Sequence, residues 1–349
     1  MRSTSPLNQP ADRLTAYDAE VPLRLTYLGP PGTFSEAALR TLPEAVGAEV
    51  EPAPSVVAAL DAVRSGQVDA ALVPFENSVE GAVPATLDEL SAGPAVHIQR
   101  EVLLPVRFAL LGRPGTTLAQ VGTVSGHPHA QPQCRHWLSA NLPGRAWRPA
   151  ASNADAARDV SQGHVDAALA GAFAAEQYGL EVLAHDVHDV EGAVTRFVLV
   201  GPPRTPPPAT GADRTTVVAY ERDDHPGALL EMLTEFAVRG VNLTRLESRP
   251  TGHGLGSYCF SLDCEGHIGD ARVGEALSAL HRICADVRFL GSYPRADGKT
   301  PSLRLGVADE NFAAAEQWLS GIREGDGLVP APHPTPDPTP TPTPGHSSG

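Results

Sequence analysis

The chain of 349 residues contains one lysine, Lys299. That leaves the body of the protein without a Schiff-base amine, and no Gly-x-x-x-x-Gly-Lys phosphate loop exists, so pyridoxal, aldolase-type and P-loop chemistries are not expected. The four cysteines (Cys134, Cys259, Cys264, Cys284) form no Cys-x-x-Cys pair, which reads as reduced thiols rather than a disulfide framework or a zinc site. His185, Asp186, His188 and Asp189 come nearest to ligand spacing, and no metal is expected there. Excess positive charge is missing as well. A formal net charge of −15 argues against a nucleic-acid partner, although single arginines and helix N-termini can still hold a small anion. No apolar run approaches a membrane span, and "MRSTSPLNQPADRLTAYDAEVP" has no apolar core of signal-peptide type, so a cytoplasmic protein is expected.

What is present divides the chain. Residues 1–21 are polar. Residues 202–211, "PPRTPPPATG", read as a proline-rich linker, and 328–349 as a low-complexity Thr/Pro arm that cannot bury enough surface to fold. Between 22 and 201 an internal echo recurs at an offset of about 97 residues: "SGQVDAALVPF" against "QGHVDAALAGAF", each after a helical segment. The echo predicts two similar α/β lobes around a cleft, with helix N-termini facing into it. From 212 to 295 the pattern becomes β-α-β-β-α-β, the ferredoxin-like order, with the turn "TGHGL" joining its two central strands. Residues 296–327 include "DENFAAAEQWLSGI", an amphipathic helix.

Four stretches carry chemistry. Thr33, Phe34 and Ser35 follow a glycine turn at a helix start, where a hydroxyl either caps the helix or meets a ligand. Glu76, Asn77 and Ser78 follow the end of a buried strand, the place where open α/β sheets bind ligands, unless they only form an Asx-turn. Ser125, His127, Gln131 and Gln133 occupy the corresponding place in the second lobe, with capping by His127 as the plainer alternative. Thr195 and Arg196 stand at the mouth of the apolar strand "FVLVG", where they either end the strand or face a ligand.

Taken in order, "GPPGTFSEAA", "VPFENSVEG", "GHPHAQPQC" and "TRFVLVG" resemble prephenate dehydratase. "PGALLEML", "VNLTRLESRP" and "FLGSYP" resemble the ACT regulatory domain that follows it. The resemblance implies a two-lobed, periplasmic-binding-protein-like catalytic domain at 22–201 and a ferredoxin-like ACT domain at 212–295, without a chorismate mutase segment. It implies loss of water and carbon dioxide from prephenate to give phenylpyruvate in L-phenylalanine biosynthesis, with no cofactor, and with Thr195, Asn77 and Gln133 as the catalytic set. Thr33, Ser35, Ser78, Ser125, His127, Arg196 and Phe197 would contact the substrate. Strand alternation, however, turns Arg196 away from the Thr195 face and returns Phe197 to it. Gly227, Ala228, Leu229, Leu230, Asn242, Leu243, Glu247, Ser248, Arg249 and Pro250 would bind phenylalanine as feedback effector between copies of the chain, in a homodimer or homotetramer. Two positions depart from the family. Gly126 stands where a hydroxyl residue usually precedes His-Pro, with Ser125 as a candidate substitute, and Ala193 stands where Asn is common. Arogenate or cyclohexadienyl dehydratase activity, and a non-catalytic two-lobed binding protein, are the competing readings.

Overall fold

The computed structural model describes residues 22–251 and 258–325. The first lobe is built on β1 (Arg24–Leu28), β2 (Glu49–Ala53), β3 (Ala70–Asn77), β4 (Gly81–Ala82), β5 (His97–Pro105) and β11 (Val194–Gly201). The second is built on β6 (Ala109–Gly112), β7 (Thr123–Gly126), β8 (Ala146–Pro149), β9 (Ala167–Ala170) and β10 (Glu181–Ala184). Strand order is β2-β1-β3-β11-β5 in the first sheet and β10-β6-β9-β7-β8 in the second. The chain leaves the first lobe after β5 and returns along β11. The two crossing segments are bonded to each other by Val106 N–H to Ala193 O (2.7 Å) and Val187 N–H to Phe108 O (2.9 Å).

The echo in the sequence is a repeat in space. The order β2-β1-β3 matches β8-β7-β9, and helices α2 (Val56–Arg64) and α6 (Asn153–Ser161) occupy equivalent places. Ser55 and Ser152 are their N-caps, accepting from Ala58 N–H (3.1 Å) and Asp155 N–H (2.9 Å). At the foot of the third strand, Asp69 accepts from Arg24 N–H (2.9 Å) and Asp166 from Thr123 N–H (2.9 Å). Each carboxylate tethers the first strand of its lobe to the third.

After the linker come β12 (Asp213–Tyr220), α8 (Ala228–Ala237), β13 (Leu243–Pro250), β14 (Tyr258–Glu265), α9 (Ala271–Ile283) and β15 (Asp286–Pro294). They form one antiparallel sheet, β13-β14-β12-β15, with β13 at an edge. Most of the turn expected between β13 and β14 lies outside the described residues. One face of this sheet packs under α8 and α9. The other shares a core with the first lobe, where Val218, Cys259, Leu290 and Tyr293 join Phe75, Leu87, Leu90, Ile98, Val198 and Val200. Among the described residues no helix is long and apolar enough to cross a membrane. A separate unit, residues 304–325 of the described chain, contains helix α10 (Asp309–Glu324).

Candidate active site

Strands β3 and β11 run antiparallel at the centre of the first sheet, with Asn77 opposite Thr195 and Glu76 opposite Arg196. Side chains alternate along a strand, so these neighbouring rungs project to opposite faces. Thr195 shares the face of Phe197, which packs with Ala38 and Leu39 of α1 (Phe34–Leu39). Thr195 is 8% exposed, and Asn77 Nδ2 donates to its Oγ1 at 2.8 Å. The amide cannot usefully turn over. Its Oδ1 already accepts from Val79 N–H (2.8 Å) and Glu80 N–H (3.0 Å), so nitrogen must face the threonine. Thr195 Oγ1 therefore receives a hydrogen bond, and its own proton is free to be donated. Ser78 holds the pair together. Its N–H donates to Val194 O (2.9 Å), and Val194 N–H donates to Ser78 Oγ (2.9 Å).

The second lobe supplies polar groups from the end of β7. Gln133, the last residue of the short helix α4 (Ala130–Gln133), donates through Nε2 to His129 O (3.1 Å) and to Glu80 Oε1 (3.4 Å), the latter in the first lobe. His127 donates its backbone N–H to Asn153 Oδ1 (2.8 Å) and accepts from His129 N–H on Nδ1 (3.2 Å). That bond assigns the ring proton to Nε2. Burial first, and the neighbouring His129 second, lower the His127 pKa against a smaller opposing pull from Glu80. Glu80, two residues beyond Ser78, was missed in the sequence. A carboxylate inside the "ENSVEG" turn was the available signal. Ser125 is buried at the end of β7. A Cβ at Gly126 would lie 2.9 Å from Trp147 Cη2 on the neighbouring strand, so a side chain there requires that ring to shift. Ala193 is buried in the apolar core of the second lobe, which explains its lack of an amide.

Other expected residues have partners within the protein. Thr33 is the N-cap of α1, donating to Leu28 O (3.2 Å) and accepting from Glu36 N–H (3.4 Å), and Ser35 is buried in the first turn. Phe197 is a core residue beneath the site rather than an open wall. Arg196, expected at the substrate, is 5% exposed on the opposite face and binds Asp263 of β14 at 2.5 Å. Asp189, from the His/Asp cluster, accepts from His136 N–H (2.7 Å) and Trp137 N–H (3.1 Å) at the start of α5 (Arg135–Asn141). No group of three or more potential metal ligands exists among the described residues. Two cavities flank the crossing segments. One, of about 340 Å³, is lined by Phe34, Leu104, Phe108 and Phe173 with Arg107, and Leu104 lies directly across from Thr195. The other, of about 420 Å³, lies along Pro105–Arg107 and Glu191–Ala193.

In the last domain, Gly227 is the N-cap of α8 and makes no side-chain cap bond. The first N–H of α8 is already used, since Ala228 N–H donates to His225 O (3.1 Å). Ala228 is buried and Leu229 partly so, while Leu230 is 68% exposed. Asn242 and Leu243 lead into edge strand β13, where Arg245, Glu247 and Arg249 alternate with Leu246, Ser248 and Pro250. Arg249, expected at the effector, instead makes a two-toothed ion pair with Asp88 of α3 (Pro84–Ser91), at 2.9 and 2.7 Å.

A two-lobed α/β cleft domain backed by a βαββαβ regulatory sheet is the architecture of a feedback-regulated enzyme acting on a small molecule. Residues 25–205 match the family model for prephenate dehydratase, and residues 216–282 match that for the ACT domain. The chain belongs to the prephenate dehydratase family. A curated relative named prephenate dehydratase, from Mycolicibacterium vanbaalenii, is 52% identical over 314 residues, covering 86% of this chain and 98% of that one. The crystal structure of prephenate dehydratase from Arthrobacter aurescens in complex with L-Phe is 49% identical, covers 87% of this chain and all of that one, and superposes with a TM-score of 0.83. GqqA, described as a novel type of quorum-quenching acylase, is 33% identical over 78% of this chain and 97% of its own, with a TM-score of 0.70.

Proposed function

We propose that this chain converts prephenate to phenylpyruvate, water and carbon dioxide, and that phenylalanine binding at its ACT domain restrains it. The observation that carries the reading is the bond from Asn77 Nδ2 to Thr195 Oγ1. Decarboxylation breaks the ring C–CO₂ bond, and its electron pair aromatises the ring as the C–O bond to the ring hydroxyl breaks. The departing oxygen needs a proton or a strong donor. Thr195 donates a hydrogen bond to the departing oxygen, strengthened by the amide that bonds to its own oxygen, and the proton that completes the water comes from solvent, so the threonine keeps its hydrogen. A positioned donor contributes on the order of 10²–10⁴ in rate, and orientation and preorganised dipoles supply the remainder. The Nε2–H of His127 is the second lobe's donor toward a substrate carboxylate, while both hydrogens of Gln133 Nε2 are already given to His129 O and Glu80 Oε1. Acyl hydrolysis fits less well, because the group bonded to Thr195 Oγ1 is a donor and not a base.

The buried, unpaired cysteines support a reducing, cytoplasmic setting. Exposed Leu230 and Leu246 beside edge strand β13 support pairing of two copies there, with phenylalanine enclosed at the start of α8. The test is a phenylpyruvate assay on the parent and on Thr195→Ala, each with and without phenylalanine. The variant should lose at least about 10²-fold in kcat while still binding phenylalanine. Activity within a few-fold of the parent removes Thr195 from the reaction. Turnover of arogenate in preference to prephenate replaces the substrate.

A further inference from the structure

Arg196 stands next to the active hydroxyl, yet it spends its charge behind the sheet. Its guanidinium binds Asp263 (2.5 Å) and lies 3.8 Å from both Glu101 and Glu76. Asp263, fully buried on β14, also accepts from Arg245 through Nε and Nη2 (both 3.1 Å) and from Thr216 Oγ1 (2.8 Å). Arg214 pairs with Glu101 from the ACT side. Phe75 lies within this cluster, with the Arg196 and Arg245 guanidiniums 4.6 and 4.5 Å from its ring centre. Phe75 is also the extra residue of the β3–β11 bulge, where the register slips between Arg196 and Phe197.

An ion cluster in this setting is poor value for stability, because apolar residues of similar size do as well or better. A bulge, by contrast, re-aims the side chains beside it. We infer that Arg196 is the positioning residue of Thr195: Asp263 of the ACT domain grips it from behind and thereby fixes the bulge and the aim of the hydroxyl. The inference rests on the proposed role of Thr195 and extends it. On that reading the ACT sheet supports the active site from behind.

The test uses the full chain carrying Asp263→Asn, Glu76→Gln, Arg196→Met or Arg196→Lys, with kcat and KM for prephenate measured on protein that elutes like the parent and keeps its circular dichroism. Misplacement by about 1 Å costs on the order of 10²-fold in rate. Asp263→Asn and Arg196→Met should therefore lose roughly 10- to 100-fold in kcat with KM within about three-fold, and Arg196→Lys should recover part of the loss. Folded Asp263→Asn with parental kcat overturns the inference. So does a rise in KM at constant kcat, which would put Arg196 on the substrate. Should the buried substitutions fail to fold, half-exposed Glu76→Gln decides: reduced kcat at unchanged KM supports the inference and an unchanged kcat overturns it. If the parent itself makes no phenylpyruvate, it is the dehydratase reading that fails.

Discussion

Asn77 sets the direction of one proton. Because its carbonyl is held by Val79 and Glu80, the amide can only donate to Thr195, which leaves the threonine hydrogen to be donated elsewhere. Asn77→Asp keeps the shape and reverses that bond, since a carboxylate accepts the hydrogen that should go to the leaving oxygen. Steady-state assays should show kcat lower by about 10²-fold or more with the fold intact by circular dichroism. A parental kcat would mean that the donor at this position is dispensable. The places of Thr195 and Asn77 were legible in the sequence, because one opens and the other closes a readable apolar strand. The partner of Arg196 was not, since Asp263 lies in another domain and no local spacing connects them. Strand alternation did say that Arg196 faces away, and that part of the reading agrees with its place. Gly126 shows the converse: that Trp147 of the neighbouring strand crowds it is visible only in the structure.

Among the elements, the repeated strand-helix-strand units were readable from local chemistry alone. A serine N-cap, an Ala-rich helix, a glycine and a tethering aspartate recur in both lobes at the same offset. Helix α4–α5 was less readable, being split at Cys134 and capped by Asp189 from a distant segment. The tether in the second lobe has a pH signature. Burial raises the Asp166 pKa, but bonds from Thr123 and Gly122 and the charge of Arg113 outweigh it, leaving the pKa below the ordinary value. A depressed carboxylate stabilises fully above the unfolded pKa of about 3.9 and loses that contribution as pH falls through the folded value. The difference in Tm between the parent and Asp166→Asn should be constant from pH 8 to 5 and shrink below pH 4. A difference that grows on acidification would contradict this sign.

For the whole molecule, the linker reads in the sequence as a domain boundary, and in the structure the domains on its two sides share a core. Composition could locate the proline-rich segment but could not show that Val218, Leu290 and Tyr293 face the first lobe. The described hydrogen bonds from the ACT domain to the catalytic domain run to that lobe, including Arg288 to the carbonyls of Ala92 and Gly93 (2.9 and 3.0 Å) and Arg249 to Asp88. The Arg249–Asp88 pair is solvent-accessible, worth at most about 1 kcal/mol to stability, and joins β13 to the helix after β4. Asp88→Asn should leave uninhibited kcat within two-fold while raising the phenylalanine concentration for half-inhibition several-fold, and salt near 1 M should weaken the same pair in the parent. Unchanged inhibition in titrations of both would show that coupling runs elsewhere.

The shared core also limits how modular this regulator is. ACT sheets are often pictured as interchangeable attachments, but this one supplies the under-surface of β3, β5 and β11 and the counter-ion of a buried arginine. A chimera carrying a foreign ACT domain would inherit the wrong surface against Phe75 and Ile98 and no carboxylate for Arg196. Exchange of effector specificity among relatives would have to move the back of the first lobe together with the ligand pocket, while the second lobe stays free to diverge.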